Sequence, residues 1–334
     1  MTGYDIREVL PEVFRIPVPL EGNPLKELNS YLFRGSREEK QRNLLVDTGF
    51  RTEGCKKALL KGLEQLGVSM EDTDILLTHL HADHSGNAPE LIRPGGRVYI
   101  SREDYRFMDG TLQEHRSERF RENGIEESLL QAMLACTPSR TMAAPLSFRD
   151  YTLLEEGDVI LAGRYTLRAI WTPGHTPGHF CFEVCGTGAM LLGDHVLFDI
   201  TPNITDWWDV PDSLGDYLRS LDKLAAYSVT LPLPGHRESG DMKLRICQLK
   251  EHHKKRLADC LRIVRELQQD PVKKPCLYDI TGCKIHCDGW DDFPPAQRWF
   301  ALGECFAHLD HLKQEGLVRE VCGEHGVHYE AVEK

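Results

Sequence analysis

Between Glu12 and Pro234 the apolar residues come in runs of four to seven, bounded by Gly, Pro, Asn or charged residues, a length that favours strands over helices. Glu12 to Val18 and Asn29 to Arg34 read as strands, split by a turn at Gly22-Asn23-Pro24. The charged segment Gly35 to Arg42 reads as a hairpin loop leading to a strand over Asn43 to Val46. From about Thr52 the spacing changes: Cys55, Leu59, Leu63 and Leu66 predict a helix that stops at Gly67. A strand over Asp74 to Leu77 follows, and another over Arg97 to Ser101 after Gly95-Gly96. Arg102 to about Ala135 is charged and helix-favouring, with Phe107, Met108, Leu112, Phe120, Leu129, Leu130 and Met133 spaced through it. Strand signals then return at Tyr151 to Leu154, Val159 to Leu161, Tyr165 to Ile170, Phe180 to Val184 and Met190 to Leu192.

Later in the chain the period is helical. Asp212 is placed to cap a helix whose buried stripe is Leu214, Tyr217, Leu218, Leu221, Leu224 and Ala225. Ile246, Leu249, Leu257, Cys260, Leu261, Val264 and Leu267 make a stripe on a second helix ended by Pro271, with His252 and His253 read as its face and flank. A third helix carries Trp299, Leu302, Phe306, Leu309 and Leu312 on one face and Glu304, His308, Asp310 and Gln314 among its polar positions. It stops at Gly316, and two short strands flank Gly323-Glu324-His325-Gly326. The expected division is residues 1–240 as one domain, with 102–135 inserted in it, and 241–334 as a smaller helical one.

A chain of 334 residues with 41% hydrophobic content can bury a sizeable core. Its net charge of -12 disfavours a broad polyanion-binding surface. The N-terminal Met1-Thr2-Gly3-Tyr4-Asp5-Ile6-Arg7-Glu8 lacks a signal-peptide core, and no run approaches the roughly 20 apolar residues that span a bilayer, so a cytoplasmic protein is expected. Eleven cysteines then read as reduced thiols. Cys276, Cys283, His286 and Cys287 could form a zinc site, but their spacing matches no paired Cys-x-x-Cys pattern and free thiols are the default.

The chemistry gathers where the runs end. Asp74 to Leu77 leads into Thr78-His79-Leu80-His81-Ala82-Asp83-His84-Ser85-Gly86-Asn87, three imidazoles and a carboxylate within six residues. Side chains repeat every two residues in extended chain, so His79 and His81 can reach one ion. Downstream runs end at Trp171-Thr172-Pro173-Gly174-His175-Thr176-Pro177-Gly178-His179, at Leu192-Gly193-Asp194-His195 and at Leu233-Pro234-Gly235-His236. A Pro-flanked loop with adjacent Trp207 and Trp208 begins a few residues after Asp194, and these rings could line an apolar substrate pocket or pack on the core and the insertion.

Residues 10 to 240 resemble the metallo-β-lactamase-fold hydrolases, especially the glyoxalase II-like branch with two metals, because four separated motifs occur in that order. The resemblance implies a four-layer αββα sandwich, an α/β (α+β) fold. It implies that His79, His81 and His175 bind one metal, that Asp83, His84 and His236 bind a second, and that Asp194 bridges them. Leu45-Val46-Asp47-Thr48-Gly49 also matches, which gives Asp47 the role of supporting a metal-bound histidine. The implied cofactors are two divalent ions, zinc first, iron or manganese next. The implied reaction is hydrolysis of a small-molecule thioester, ester or lactone by a bridging hydroxide, with Asp83 and Asp194 as catalytic groups. In family members the equivalent of 102–135 often covers the site, so that segment is expected to be a lid or an externally packed helical pair.

Helix followed by hairpin at the C-terminus resembles an appended winged-helix domain. From Glu251 to Lys334 there are 12 Lys and Arg against 15 Asp and Glu, a balance of -3, which favours packing, homodimerisation or lid support over nucleic-acid binding. Lactamase-like endoribonucleases pair a similar site with such a domain, so a phosphodiesterase is the alternative. A mononuclear iron persulfide dioxygenase and a non-catalytic binding protein rank lower. His81 stands where flavodiiron reductases carry glutamate, and Asp83-His84 with Asp194 depart from the commonest zinc β-lactamases.

Overall fold

The computed structural model describes residues 5–36, 38–270, 274–285, 289–323 and 326–333. Strands β1 (Arg7–Leu10), β2 (Val13–Pro19), β3 (Glu27–Phe33) and β4 (Asn43–Val46) pair antiparallel in sequence. Helix α1 (Glu53–Gln65), whose first turn is held by the Thr52 hydroxyl accepting from the Cys55 N–H, crosses over to β5 (Thr73–Leu76), parallel to β4. The short helices α2 (Ala82–Ser85) and α3 (Ala88–Leu91) lead to β6 (Val98–Ser101). Then α4 (Arg102–Arg106), α5 (Thr111–Glu122), α6 (Glu127–Ala135) and α7 (Pro138–Thr141) lead to β7 (Thr152–Leu154), which closes a seven-stranded sheet in the order β1 to β7.

Strands β8 (Val159–Ala162), β9 (Tyr165–Trp171), β10 (Phe180–Val184) and β11 (Ala189–Gly193) form an antiparallel meander. Helix α8 (Ser213–Ala225) returns the chain to β12 (Leu231–Pro234), parallel to β11, and the second sheet reads β12-β11-β10-β9-β8. Helices α9 (Met242–Leu267), α10 (Leu277–Ile285) and α11 (Pro295–Gln314) and the hairpin β13 (Val318–Gly323) and β14 (Gly326–Ala331) complete the described chain. Strand β1 is absent from the sequence reading; it is a four-residue edge strand that opens on exposed Arg7 and Glu8 and has no apolar alternation to signal it.

Alternation sorts the strand residues into layers. Val13, Tyr31, Leu44, Val46 and Leu76 of the first sheet meet Leu167, Ala169, Phe180, Phe182 and Leu191 of the second. The opposite face of the first sheet, with Ile16, Leu32, Leu45 and Ile75, packs on Cys55, Leu59 and Leu63 of α1. The opposite face of the second, with Ile170, Met190 and Leu192, packs on Leu214, Tyr217 and Leu221 of α8 and on Ile246 and Leu249 of α9. The result is helix, sheet, sheet, helix.

A separate core joins the insertion to the C-terminal part. Phe120, Leu130, Met133 and Leu134 of α5 and α6 pack with Cys260 and Val264 of α9, with Trp299, Leu302, Phe306 and Leu309 of α11, and with Tyr329 of the hairpin. The single helix α9 therefore serves the sandwich with one half and this second core with the other. Two sequence readings change here. His308 and Asp310 of α11 are buried rather than surface positions, and His253 of α9 is buried beside His308, because α11 is enclosed by α6, α8, α9 and the hairpin. No helix among the described residues is long and apolar enough to cross a membrane.

Candidate metal centre

Five strands deliver the site from their C-terminal ends. Asp47 follows β4, His79 to His84 follow β5, His175 follows β9, Asp194 follows β11 and His236 follows β12. The two sheets are tied at this edge, where the Asn29 side-chain amide donates to the Pro234 and Arg237 carbonyls at 2.9 and 2.8 Å. Strands of both sheets therefore release their chains toward one place.

There the seven expected side chains converge. His81 Nδ1 lies 3.1 Å from His79 Nε2 and 2.9 Å from His175 Nε2, so one atom from each of three imidazoles faces a common point. Asp83 Oδ2 lies 3.3 Å from His236 Nε2 and 3.9 Å from His84 Nε2, a second cluster. Asp194 stands between them, with Oδ2 3.8 Å from His175 Nε2 and 3.4 Å from His236 Nε2, and Oδ1 3.4 Å from His84 Nε2. The sets His79/His81/His175, His79/His84/Asp194 and Asp83/His84/His236 each bring their ligand atoms within 4.8 Å of one another. Gly235 permits this closeness, because a Cβ there would stand 2.5 Å from Asp194 Oδ1 and 2.9 Å from His84 Cε1.

The far sides of the rings are held. His84 Nδ1 donates to Asp47 Oδ2 at 2.8 Å, His175 Nδ1 to the Asn203 carbonyl at 2.9 Å and His236 Nδ1 to the Glu27 carbonyl at 2.7 Å. Each bond fixes its ring with Nε2 directed into the site. Asp47 is itself fixed, accepting from the Thr78 N–H and hydroxyl at 2.8 Å each, and its backbone sits at φ 59°, the left-handed region that Asp tolerates better than most residues. His179 accepts the Asp194 N–H on Nε2 at 3.2 Å and so holds the backbone from which the Asp194 carboxylate projects.

Burial pushes the His79 and His175 imidazoles down, and His81 down to about 3, so these rings are neutral and present lone pairs. Burial opposes ionisation of Asp194, but His236 and His84 outweigh it and hold the carboxyl well below its usual range. Conversely Asp194 overcomes burial at His236 and raises it to about 10. The two imidazoles are thus the counter-charge of the carboxylates, a part that a cation would take. His84 Nε2, His236 Nε2 and Asp194 Oδ1 are buried and make no hydrogen bond. Buried nitrogen and oxygen atoms that face one another without a hydrogen bond fit a metal centre, and these His and Asp groups are able to hold metal ions.

Sequence reasoning missed Asp104. It is fully buried, accepting from the Leu80 N–H and the Thr176 hydroxyl on Oδ2 at 2.8 Å each and from the Gly178 N–H on Oδ1 at 2.7 Å. One carboxylate therefore splices the His79-Leu80-His81 segment to the loop carrying His175. Ser101 and Asp104 carry the spacing of a helix start, and the Ser101 hydroxyl does accept the Asp104 N–H, but that pattern says nothing of where the carboxylate turns. Asp206 was also missed: it pairs with Arg116 and Arg119 of α5 at 3.2 Å each, and Arg119 pairs with Asp310 of α11 at 2.7 Å.

The tryptophans divide. Trp207 is buried and stacks on His81 at 5.9 Å, while Trp208 is half-exposed and stacks on His115 of α5 at 4.3 Å. Of the cysteine cluster, Cys276 makes a contact to Asp279 Oδ2 at 3.1 Å and Cys283 is exposed; His286 and Cys287 lie outside the described residues.

Residues 27–236 match the sequence model of the metallo-beta-lactamase superfamily. The chain belongs to that superfamily. Among solved members, a metallo-beta-lactamase family protein from Thermus thermophilus superposes with a TM-score of 0.78 and 30% identity, over 97% of this chain and 100% of that one. The lactamase-like protein adaB of Aspergillus niger is 28% identical over 240 residues, 70% of this chain and 57% of its own, so the chain spans little more than half of that relative. An atrochrysone carboxyl ACP thioesterase of Emericella nidulans is 24% identical over 290 residues, 86% of this chain and 74% of its own. Within the metallo-beta-lactamase superfamily, then, the similarity to two of these proteins reaches almost to the full chain, past the matched residues 27–236 and into the C-terminal elements.

Proposed function

We propose that the chain is a hydrolase that cleaves an acyl thioester, or a related ester or lactone, at a pair of divalent metal ions, zinc first among them. The observation that carries the reading is Asp194, set between two imidazole clusters with one oxygen 3.4 Å from His84 and the other 3.4 Å from His236. His79, His81 and His175 would hold one ion, Asp83, His84 and His236 the other, with Asp194 shared. Nitrogen and oxygen donors of this kind suit zinc, with iron and manganese as alternatives. Ions bound there would lower the pKa of a water molecule and polarise the acyl carbonyl.

The protein's own groups do the rest. Asp83, beside His236, orients the attacking water, and Asp194 keeps the two clusters in register. Asp47 fixes the tilt of His84, and Trp207 covers His81 and keeps bulk solvent from that side. The water oxygen bonds to the acyl carbon, the carbon–sulfur bond breaks, and the thiol leaves with a proton. No serine or cysteine nucleophile is required. A thioester stands first because a relative is named as a carrier-protein thioesterase. Residues 1–240 would carry the chemistry, while 241–334 support the insertion through their shared core rather than bind nucleic acid.

The test is hydrolysis of acyl thioesters, lactones and RNA by zinc-loaded protein and by Asp83→Asn. Thioester cleavage that falls about a hundredfold or more in the variant, with metal retained, is the expected result. RNA cleavage without acyl hydrolysis would replace this reading with a phosphodiesterase.

A further inference from the structure

The edge of a sheet is a row of unpaired backbone amides and carbonyls, and folded chains ordinarily blunt it with proline, charge or shortness. Three of the four edges of this sandwich are blunted. Strand β12 alternates proline, Leu231-Pro232-Leu233-Pro234, β1 opens on exposed Arg7 and Glu8, and β7 has only three residues. The fourth edge is β8, Val159-Ile160-Leu161-Ala162, with neither proline nor charge. Ile160 and Ala162 turn into the core between the sheets, whereas Val159 and Leu161 on the other face are 59% and 79% exposed. Leu161 is the most exposed large hydrophobic side chain among the described residues.

Two hydrogen bonds fix which backbone groups of β8 face outward. The Ala169 N–H donates to the Asp158 carbonyl, and on the far side of β9 the Cys185 N–H donates to the Thr166 carbonyl. Alternation from these bonds turns the amides and carbonyls of Ile160 and Ala162 toward β9, and those of Val159 and Leu161 toward the open edge. The charges around the strand are sorted by end: Glu155, Glu156 and Asp158 precede it and Arg164 follows it, all of them exposed. A strand that is acidic at one end and basic at the other complements itself when run antiparallel.

We propose that β8 is the interface for a second copy of this chain, the two β8 strands pairing antiparallel about a two-fold axis at Leu161. The outward amides and carbonyls belong to Val159 and Leu161, so the register sets one of these opposite the other or Leu161 opposite itself. A shift by one residue from either would put the buried face of one strand beside the exposed face of its mate. With Leu161 opposite itself, Asp158 comes beside Arg164 of the second copy. With Val159 opposite Leu161, Glu156 takes that place, but Glu156 is already engaged by Lys223 at 3.0 Å and by the Trp171 N–H. In the first register each Leu161 also exchanges both backbone hydrogen bonds with its counterpart, and the two side chains cover each other. The pairing uses no residue of the metal centre and stands independently of the hydrolase reading.

The test is sedimentation velocity of the full chain over a concentration series, with thermal melting of each variant as the check on folding. The unsubstituted protein is expected to show a monomer–dimer equilibrium. Leu161→Lys, a change at an exposed side chain, is expected to weaken it at least about tenfold and leave the melting temperature unchanged. Arg164→Glu and Asp158→Lys each set like charges together twice across the axis, and each is expected to weaken association at least about tenfold. Mixed together, these two variants place opposite charges at both contacts, so the mixture is expected to regain the dimer that each has lost. A chain that stays monomeric at every concentration, leaving the edge to a different protein, would overturn the proposal. So would a dimer that Leu161→Lys leaves unchanged, or a mixture of the two charge variants that associates no better than either alone.

Discussion

Asp47 and Asp104 do different work with the same functional group. Asp47 aims an imidazole: one carboxylate oxygen takes the His84 Nδ1 proton and the other the Thr78 N–H. Replacing it by Ala frees the ring and should weaken metal binding about 10- to 100-fold, read by competition with a chromogenic chelator. Asp104 instead joins the loop that carries His79 and His81 to the loop that carries His175. Asp104→Asn puts an NH2 group where an N–H or hydroxyl now donates, and should cost about 1–3 kcal/mol in denaturant unfolding. Burial pushes the Asp104 carboxyl up to about 7, against the pull of its Thr176, Gly178 and Leu80 donors. In the unfolded chain it titrates near 3.9, so its stabilising share is complete below about pH 4 and is lost as pH rises through about 7. Asp104→Asn should therefore lose less stability than the unsubstituted protein between those pH values. His79, His81 and Asp83 were readable because their types and spacing fall in one short segment. Asp104 was not, since its partners lie 24, 72 and 74 residues away.

At the scale of elements, α5, α11 and the loop that follows Asp194 form one unit. Arg116 and Arg119 of α5 grip Asp206, the neighbour of Trp207, and Arg119 reaches on to Asp310 of α11. The same loop supplies the Asn203 carbonyl that orients His175. Asp206→Ala leaves buried guanidinium charge uncompensated and should cost about 3–5 kcal/mol, with a change in the near-ultraviolet circular dichroism of Trp207. Asp212 both caps α8, accepting the Gly215 N–H at 2.8 Å, and meets His311 of α11 at 3.0 Å. Asp212→Ala should cost about 1–2 kcal/mol. Burial works to raise the Asp212 carboxyl, but His311 and the Gly215 N–H outweigh it and hold it below its usual range. That contribution is present above the unfolded pKa and fades as the pH falls through the folded one. Helical spacing revealed α5, α6 and α11. It could not show where they pack, because Phe120 or Leu130 would look the same on a lid, and His308 and Asp310 look polar until the neighbours that bury them are known.

Across the whole molecule, the sandwich and the C-terminal part share helix α9 and the insertion. A chain ended after residue 240 would uncover Ile170, Met190 and Leu192 on the second sheet as well as Phe120, Leu130 and Met133 on the insertion. Such a chain should bind a hydrophobic dye and lack a cooperative thermal transition, whereas an independently folding sandwich would melt normally. The four-layer order came from resemblance, because strand alternation alone leaves the pairing of distant strands open. Metal content is the most direct test of the central reading, measured per chain by mass spectrometry on the purified protein and on His81→Ala. About two divalent ions are expected in the protein and a loss of at least one in the variant. A single iron with oxygen consumption, or a protein that takes up no metal, would contradict the paired centre around Asp194.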